Sequence, residues 1–258
     1  MATTSIAYVE TPLLGFTLAR ADDALVLGHR LSEWCGHAPM IEEDIALANI
    51  GLDLLGQAKS LYGYAAKLEG TGLGEDHFAY LRDAGQYRNC LLAEQPNGDF
   101  AVTIARQFFY AAYADPWQRA MTRSADATLA AIAGKAEKEA AYHLRHAAEW
   151  LIRLGDGTPE SQMRAQEAVD ALWMYTGELF EAEAGERALI AAGAAVDPAS
   201  LRAGWDATVD AVLAQATLTR PGQGWMQGGG RAGRHSEHLS LMLTELQYLQ
   251  RSFPGAKW

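Results

Sequence analysis

The chain has 258 residues, of which 32 are acidic and 21 basic, so its net charge is −11. It contains 48 Ala and 31 Leu but only 15 Val plus Ile, which favours helices and argues against β-sandwiches, β-barrels and parallel α/β sheets. The excess of acid argues against binding to nucleic acid or to an anionic membrane surface.

The sequence also lacks the signals of export. Its first ten residues have neither the basic region nor the apolar region of a secretory signal, and no apolar run has the length of a membrane span. Two cysteines are too few for a disulfide framework. We therefore expect a protein of the reducing cytoplasm without a membrane anchor.

Eight prolines divide the sequence into long stretches with helical periodicity. The first predicted helix, Leu18 to Trp34, ends at the sequence GHAP. The second, Ile41 to Leu68, carries two adjacent apolar stripes, so we expect other helices to surround it. Its glycines, Gly51, Gly56 and Gly63, are expected where a neighbouring backbone approaches closely.

The remaining helices are delimited by caps and turn residues. A helix over 75–94 is followed by the turn QPNG and by a helix to about Ser124, which Asp99 caps and Pro116 kinks or breaks. Further helices run from 126 or 127 to Leu154, from Pro159 to about Ala192, from Pro198 to about Thr217 and from His235 to Ser252, and 221–233 is a glycine-rich loop. The sequence thus predicts a single all-α domain over 1–258, an antiparallel bundle of about seven or eight helices with extra C-terminal helices.

Long-helix bundles can hold a carboxylate-bridged di-iron centre, which needs four carboxylates and two histidines, the latter in Glu-x-x-His pairs. No Asp or Glu of this chain has a His three residues later. Two pairs exist at a spacing of four. In Glu33/His37 the helix has already ended, whereas Glu139/His143 lies on a predicted helix.

A polar stripe of Asn49, Asp53 and Gln57 follows the second helix at a spacing of four. It is either the remnant of a ligand row or, as we prefer, an internal hydrogen-bond network or a subunit contact, because buried polar groups need partners. Asp53, Glu139 and His143 are only weak, vestigial metal candidates. Glu139 and His143 share one helix, and one helix cannot close a coordination sphere. We expect no catalytic, cofactor-binding or metal residue in this chain.

The glycine-rich loop reads PGQGWMQGGGRAG and lacks the lysine and the preceding strand of a phosphate-binding loop. We interpret it as flexible or ordered by a partner, with Arg231 and Arg234 available to an anionic group. Among the seven tryptophans, Trp205, Trp225 and Trp258 are candidates for partner contacts.

Six long strings carry a resemblance to a known family. They are HRLSEWCGHAP (29–39), EEDIALANIGLDLLGQA (42–58), RNCLLAEQPNGDFAVTIARQF (88–108), HLRHAAEWLIRLGDGT (143–158), LWMYTGELF (172–180) and HSEHLSLMLTELQYLQRSFPGAKW (235–258). In these strings, which are spread over nearly the whole chain, the protein resembles the PaaC-type structural (β-type) subunits of bacterial phenylacetyl-CoA epoxidase.

The resemblance implies a ferritin-like helical bundle related to di-iron oxygenases. It also implies membership of a multicomponent monooxygenase of phenylacetate catabolism. There a separate catalytic α subunit holds the iron, binds phenylacetyl-CoA and forms a ring 1,2-epoxide from dioxygen, with electrons that a reductase takes from NADPH. The structural subunit pairs with the catalytic one and is considered to lack a working metal site, so no catalytic residue is carried over.

Two alternatives remain open at this point. A metal-binding ferritin-like oxidase acting by itself would use Asp53, Glu139 and His143 with further ligands that the spacing does not identify. An acidic helical scaffold outside any oxygenase would bind no catalytic subunit. For a partner subunit, we expect the interface on the first two helices or on the His143 face, with a homodimer of the isolated chain as a further possibility.

Overall fold

The computed structural model describes residues 5–222 and 224–256, and the regular structure in these ranges is helical, without a strand. The predicted all-α class is confirmed. The helices are α1 Pro12–Ser32, α2 Ile41–Glu69, α3 Glu75–Tyr80, α4 Leu91–Glu94, α5 Phe100–Met121, α6 Ala127–Gly155, α7 Pro159–Trp173, α8 Ala184–Ala191, α9 Arg202–Gln215 and α10 Glu237–Ser252. Four short 3-10 turns lie at Ala84–Gln86, Gly177–Phe180, Pro198–Leu201 and Gly230–Ala232.

The central helix of the bundle is α1, which is buried around almost its whole circumference. It packs chiefly on α2, and α4 and α8 also contact it, while α5 packs chiefly on α6. On α2, by contrast, Ile41, Ile45 and Leu52 are exposed. The prediction that the second helix is surrounded is wrong, because its wide apolar arc continues onto a surface that no described part of the chain covers.

Glycines allow α1 and α2 to approach each other closely. A Cβ atom added to Gly28 would lie 3.2 Å from the backbone oxygen of Gly51, and one added to Gly51 would lie 3.3 Å from the backbone oxygen of Gly28. The predicted close approach is confirmed at Gly51. At Gly63 the neighbour is the Glu75 side chain rather than a backbone, and Gly56 faces open space, so the prediction is wrong at these two positions.

The predicted helix over 75–94 is replaced by α3, a 3-10 turn and α4. The cause lies in α1. The backbone N–H of Arg88 donates to Asp22 Oδ2 at 2.8 Å, and the N–H of Cys90 donates to Asp23 Oδ1 at 2.7 Å. These amides satisfy buried carboxylates instead of helix carbonyls, so the chain is extended at Tyr87 and Cys90, between the 3-10 turn and α4.

The predicted helix from Pro159 to Ala192 is also interrupted, after Trp173. The 3-10 turn that follows carries Glu178, which is buried. Its carboxylate accepts hydrogen bonds from three backbone N–H groups, those of Leu91, Gly229 and Arg231. A continuous helix would not place this carboxylate where α4 and the glycine-rich loop meet.

Helix α5 shows that packing can override a proline. Asp99 caps the helix as predicted, since its side chain accepts from the backbone N–H of Val102 at 3.0 Å. The helix continues through Pro116 to its end at Met121 without a break. A proline inside a helix costs about 3 kcal/mol, and the buried side chains of Trp117 and other core residues on both sides of it outweigh this cost.

Candidate functional site

The candidate site residues lie where α2 and α6 run antiparallel to each other. His143 Nε2 lies 3.1 Å from Asp53 Oδ2, and the Gln57 amide donates to Glu139 Oε2 at 2.9 Å. Burial lowers the pKa of His143 and outweighs the hydrogen bond and the charge of Asp53, which raise it. The neutral ring therefore donates from Nε2 to Asp53.

A second acid–imidazole pair lies further along the same seam. His146 Nε2 is 2.8 Å from Glu43 Oε2, and both residues are buried. The two histidines are three residues apart and so point to one side of α6, where each meets an acid of α2. The sequence placed His146 beside His143, but nothing in its spacing identified Glu43 as the partner.

The structure brings some of the predicted site residues together and separates others. Asp53 and His143 form a pair, whereas Glu139, the third vestigial metal candidate, binds Gln57 instead. The network interpretation of the polar stripe on α2 holds for Asp53 and Gln57. Asn49, the third member of that stripe, is exposed to solvent.

The other pair at a spacing of four does not form. Helix α1 ends at Ser32, which confirms the prediction that the helix stops before His37. Glu33 Oε1 accepts instead from Arg30 Nη1 at 2.9 Å, and the His37 ring lies 3.0 Å from the carbonyl oxygen of Cys35.

The seam between α2 and α6 does not fit a di-iron centre. Such a centre needs four carboxylates and two imidazoles that converge on one pair of ions. Here each imidazole is hydrogen-bonded to a single carboxylate of the neighbouring helix. Within residues 5–222 and 224–256, no group of three or more His, Cys, Asp or Glu side chains is placed to hold a metal ion.

The bundle interior beside the seam has little free space. A largely enclosed cavity between α1, α2 and α5, lined by Arg20, Gln57 and Tyr113 among others, measures about 20 Å³. This is room for about one water molecule. A coenzyme A thioester does not fit there.

A buried set of ion pairs on α1 is the polar feature that the sequence analysis missed. Three pairs tie this helix to distant parts of the chain: Asp22–Arg82, Asp23–Arg231 and Arg20–Glu186. The sequence does contain a pattern that indicates these ion pairs. It is the stretch ARADDALVLGHR at 19–30, in which charged residues interrupt an apolar helix. Buried charges require partners, so such a stretch predicts ion pairs to other segments.

The glycine-rich loop is held in place by contacts with other parts of the same chain. Arg231 contacts an anionic group as predicted, but that group is Asp23, with Nη1 at 2.9 Å from Oδ1 and Nη2 at 2.7 Å from Oδ2. Of the tryptophans predicted to make partner contacts, Trp205 is fully buried among aromatic rings, so that prediction is wrong. Trp225 is exposed, and Trp258 lies outside the described residues.

His235 follows the loop and joins it to α4. Its Nδ1 lies 2.7 Å from Glu94 Oε2, and its Nε2 lies 2.9 Å from the Tyr87 carbonyl oxygen. Both partners are acceptors, so the imidazolium, which donates from both nitrogens, suits the site. Burial lowers the pKa of His235, but the hydrogen bonds and the charge of Glu94 outweigh it, and the pKa lies above its ordinary value.

We expect this histidine to make stability depend on pH. Its pKa is higher in the folded than in the unfolded state, so its contribution is fully present below the ordinary histidine pKa of about 6.5. The contribution is lost as the pH rises through the raised pKa. Urea unfolding should therefore show the largest loss for His235→Gln at acidic pH, and a shrinking loss as the pH rises, with one pKa unit equal to about 1.4 kcal/mol.

The control for this experiment is His143→Gln. Because the pKa of His143 is lowered by burial, its contribution is present above the ordinary histidine pKa and lost as the pH falls. The two variants should thus respond to pH in opposite directions. A loss for His235→Gln that grows with rising pH would contradict the imidazolium assignment.

Long helices packed around a buried central helix, with hydrogen-bonded pairs along the α2–α6 seam, define an all-α bundle protein. In the ranges that the structure describes, no helix combines the length and the apolarity needed to cross a membrane.

Comparison with known proteins gives the family. The chain matches the family model described as phenylacetic acid catabolic protein over residues 2–258, and it belongs to that family. It is 52% identical over 246 residues to a subunit of the 1,2-phenylacetyl-CoA epoxidase of Escherichia coli (strain K12). That alignment covers 95% of this chain and 99% of the relative. The resemblance stated from the sequence and the expected ferritin-like helical fold are confirmed.

Proposed function

We propose that this chain is a non-catalytic structural subunit of a phenylacetyl-CoA 1,2-epoxidase, a multicomponent monooxygenase of phenylacetate catabolism. It pairs with and supports a di-iron catalytic α subunit. That subunit epoxidises the aromatic ring of phenylacetyl-CoA with dioxygen and with electrons that a reductase takes from NADPH. The chain itself holds no cofactor and acts in the cytoplasm.

Membership of an epoxidase complex is supported by the relative in Escherichia coli, which is by name a subunit of such an enzyme. The alignment leaves almost none of either chain uncovered. Because the similarity extends over nearly the whole of both chains and not over one shared domain, it supports the same role, that of a subunit of the enzyme, for the present chain.

The observation that carries the non-catalytic role is the pairing of Asp53 with His143. These two side chains satisfy each other, and Glu139, the remaining candidate ligand, is bonded to Gln57. A metal that took His143 Nε2 as a ligand would have to break the hydrogen bond between this imidazole and Asp53. The small interior cavity supports the same role, because it leaves no room for the substrate beside such a centre.

Metal analysis of the separated subunits tests this proposal. We expect iron to stay with the catalytic subunit when the complex is purified and taken apart, and the present chain to contain far less than one iron per molecule. His143→Ala should leave the iron content of the complex unchanged. The matched control is His238→Ala, which removes a histidine of α10 away from the seam.

The competing function, a metal-binding ferritin-like oxidase acting by itself, predicts the opposite result. Stoichiometric iron in this chain alone, lost in His143→Ala and kept in His238→Ala, would establish it and overturn the non-catalytic role.

A further inference from the structure

An apolar stripe on α2 has no partner within the described chain. Ile41, Ile45 and Leu52 are 72%, 57% and 65% exposed, and their spacings of four and seven place them on one side of the helix. Leu52 adjoins Asp53, and the exposed Tyr142 of α6 adjoins His143. The exposed rows of the two helices therefore lie side by side. We call this surface, made of Ile41, Ile45, Leu52, Lys135, Lys138 and Tyr142, the α2/α6 face.

Two glycines in the same helices leave the α2/α6 face open to close approach. Gly56 of α2 and Gly134 of α6 lie inside their helices, and a Cβ atom at either position would meet nothing within 4 Å. A glycine inside a helix costs about 1 kcal/mol relative to alanine. No contact within the described chain accounts for that cost, whereas a partner helix lying against the face would.

The exposed charges of these two helices are mostly basic, in contrast to the acidic balance of the whole chain. Of their exposed charged residues, six are basic and two are acidic, although the chain carries −11. The basic ones are Lys59, Lys67, Lys135, Lys138, Arg145 and Arg153, and they include every lysine that the structure describes. An acidic partner surface would be attracted to this face and repelled by the rest of the molecule.

We propose that the α2/α6 face is the docking surface for the catalytic subunit, and that it receives a helical surface with an apolar centre and an acidic rim. This inference rests on the proposed function, since it names the surface through which that subunit is held. A second copy of the chain is disfavoured as the partner, because two copies of a face whose exposed charges are mostly basic repel each other. Helix α1, the other location expected from the sequence, is covered by its own chain.

Binding of the purified catalytic subunit to full-length variants, measured by calorimetry, tests the docking surface. Leu52→Asp should weaken binding about tenfold or more, because it places a charge in the apolar centre. The matched control is Leu241→Asp, since Leu241 of α10 is also 65% exposed and should leave the affinity unchanged. Circular dichroism of each variant checks that the fold is kept.

The charge contribution is tested by the double variant Lys135→Glu/Lys138→Glu. It should weaken binding at low ionic strength, and the loss should shrink at high ionic strength, where charges are screened. Arg187→Glu, which reverses an exposed charge on α8, is the control.

The outcomes separate the two proposals. If the wild-type chain does not bind the catalytic subunit, both fail. If it binds and Leu52→Asp behaves like Leu241→Asp, the docking surface is wrong and the proposed function stands. If Leu52→Asp instead dissociates a homodimer of the isolated chain, the face belongs to a second copy and the choice of partner is overturned.

Discussion

Replacing Arg82 with Met is expected to destabilise the fold by about 3–5 kcal/mol, the usual cost of removing one partner of a buried ion pair. Arg82 and Asp22 have no exposed side-chain surface. The guanidinium also donates to the Phe78 carbonyl at 2.7 Å and the Gln86 carbonyl at 3.0 Å, and it lies 4.3 Å from the centre of the Tyr87 ring. Its loss leaves a buried carboxylate without a countercharge and three fixed groups without their common partner.

Urea unfolding measures this effect, and Arg187→Met is the control. Arg187 is exposed, so its replacement should change the free energy of unfolding by less than about 0.5 kcal/mol. The double variant Asp22→Asn/Arg82→Met removes both charges and should recover part of the loss. Equal stabilities for Arg82→Met and Arg187→Met would show that the buried pair is not needed by the fold.

Trp205→Ala is expected to cost about 3–5 kcal/mol, the range for removing a large aromatic side chain from a core. Trp205 is fully buried, with ring centres of Phe109, Trp173 and Phe180 at 5.9, 5.7 and 5.3 Å. Its Nε1 donates to the Phe109 carbonyl oxygen at 3.0 Å. The residue thus joins α9 to α5 and α7, and alanine would leave a cavity between them.

The control is Trp225→Ala, which makes the same substitution at the protein surface. Trp225 is 72% exposed, so its truncation should alter the free energy of unfolding by less than about 0.5 kcal/mol. Chemical denaturation followed by circular dichroism suits both variants. Similar midpoints for the two would mean that the aromatic cluster around Trp205 does not stabilise the fold.

The long helices were predictable because their signals are local. For α6, Asp126 caps the first turn by accepting from the N–H groups of Thr128 and Leu129, and apolar periodicity continues to the end. The failure over 75–94 has a distant cause. The amides of Arg88 and Cys90 bind Asp22 and Asp23, which lie 66 and 67 residues earlier in the chain. No pattern within the segment itself shows that distant carboxylates compete with helix carbonyls for its backbone N–H groups.

The candidate site was predictable in part for the same reason. Spacing along α6 identified Glu139 and His143 as residues of one helix face. It could not show that α2 would present Asp53 to the imidazole and Gln57 to the carboxylate, because partners across a seam depend on the register of two helices. The exposed stripe on α2 has the periodicity of a core-facing stripe, because periodicity reports apolar character and not whether another element covers the residues.

The ion pairs of α1 have a consequence for how the protein is made. This helix leaves the ribosome before α2–α10. The partners of its charged residues are synthesised much later, because Glu186 follows Arg20 by more than 160 residues and Arg231 follows Asp23 by more than 200. Until those residues emerge, enclosing the nascent α1 would bury charges without their counterparts. We therefore expect the bundle to close around α1 only after the glycine-rich loop has been synthesised.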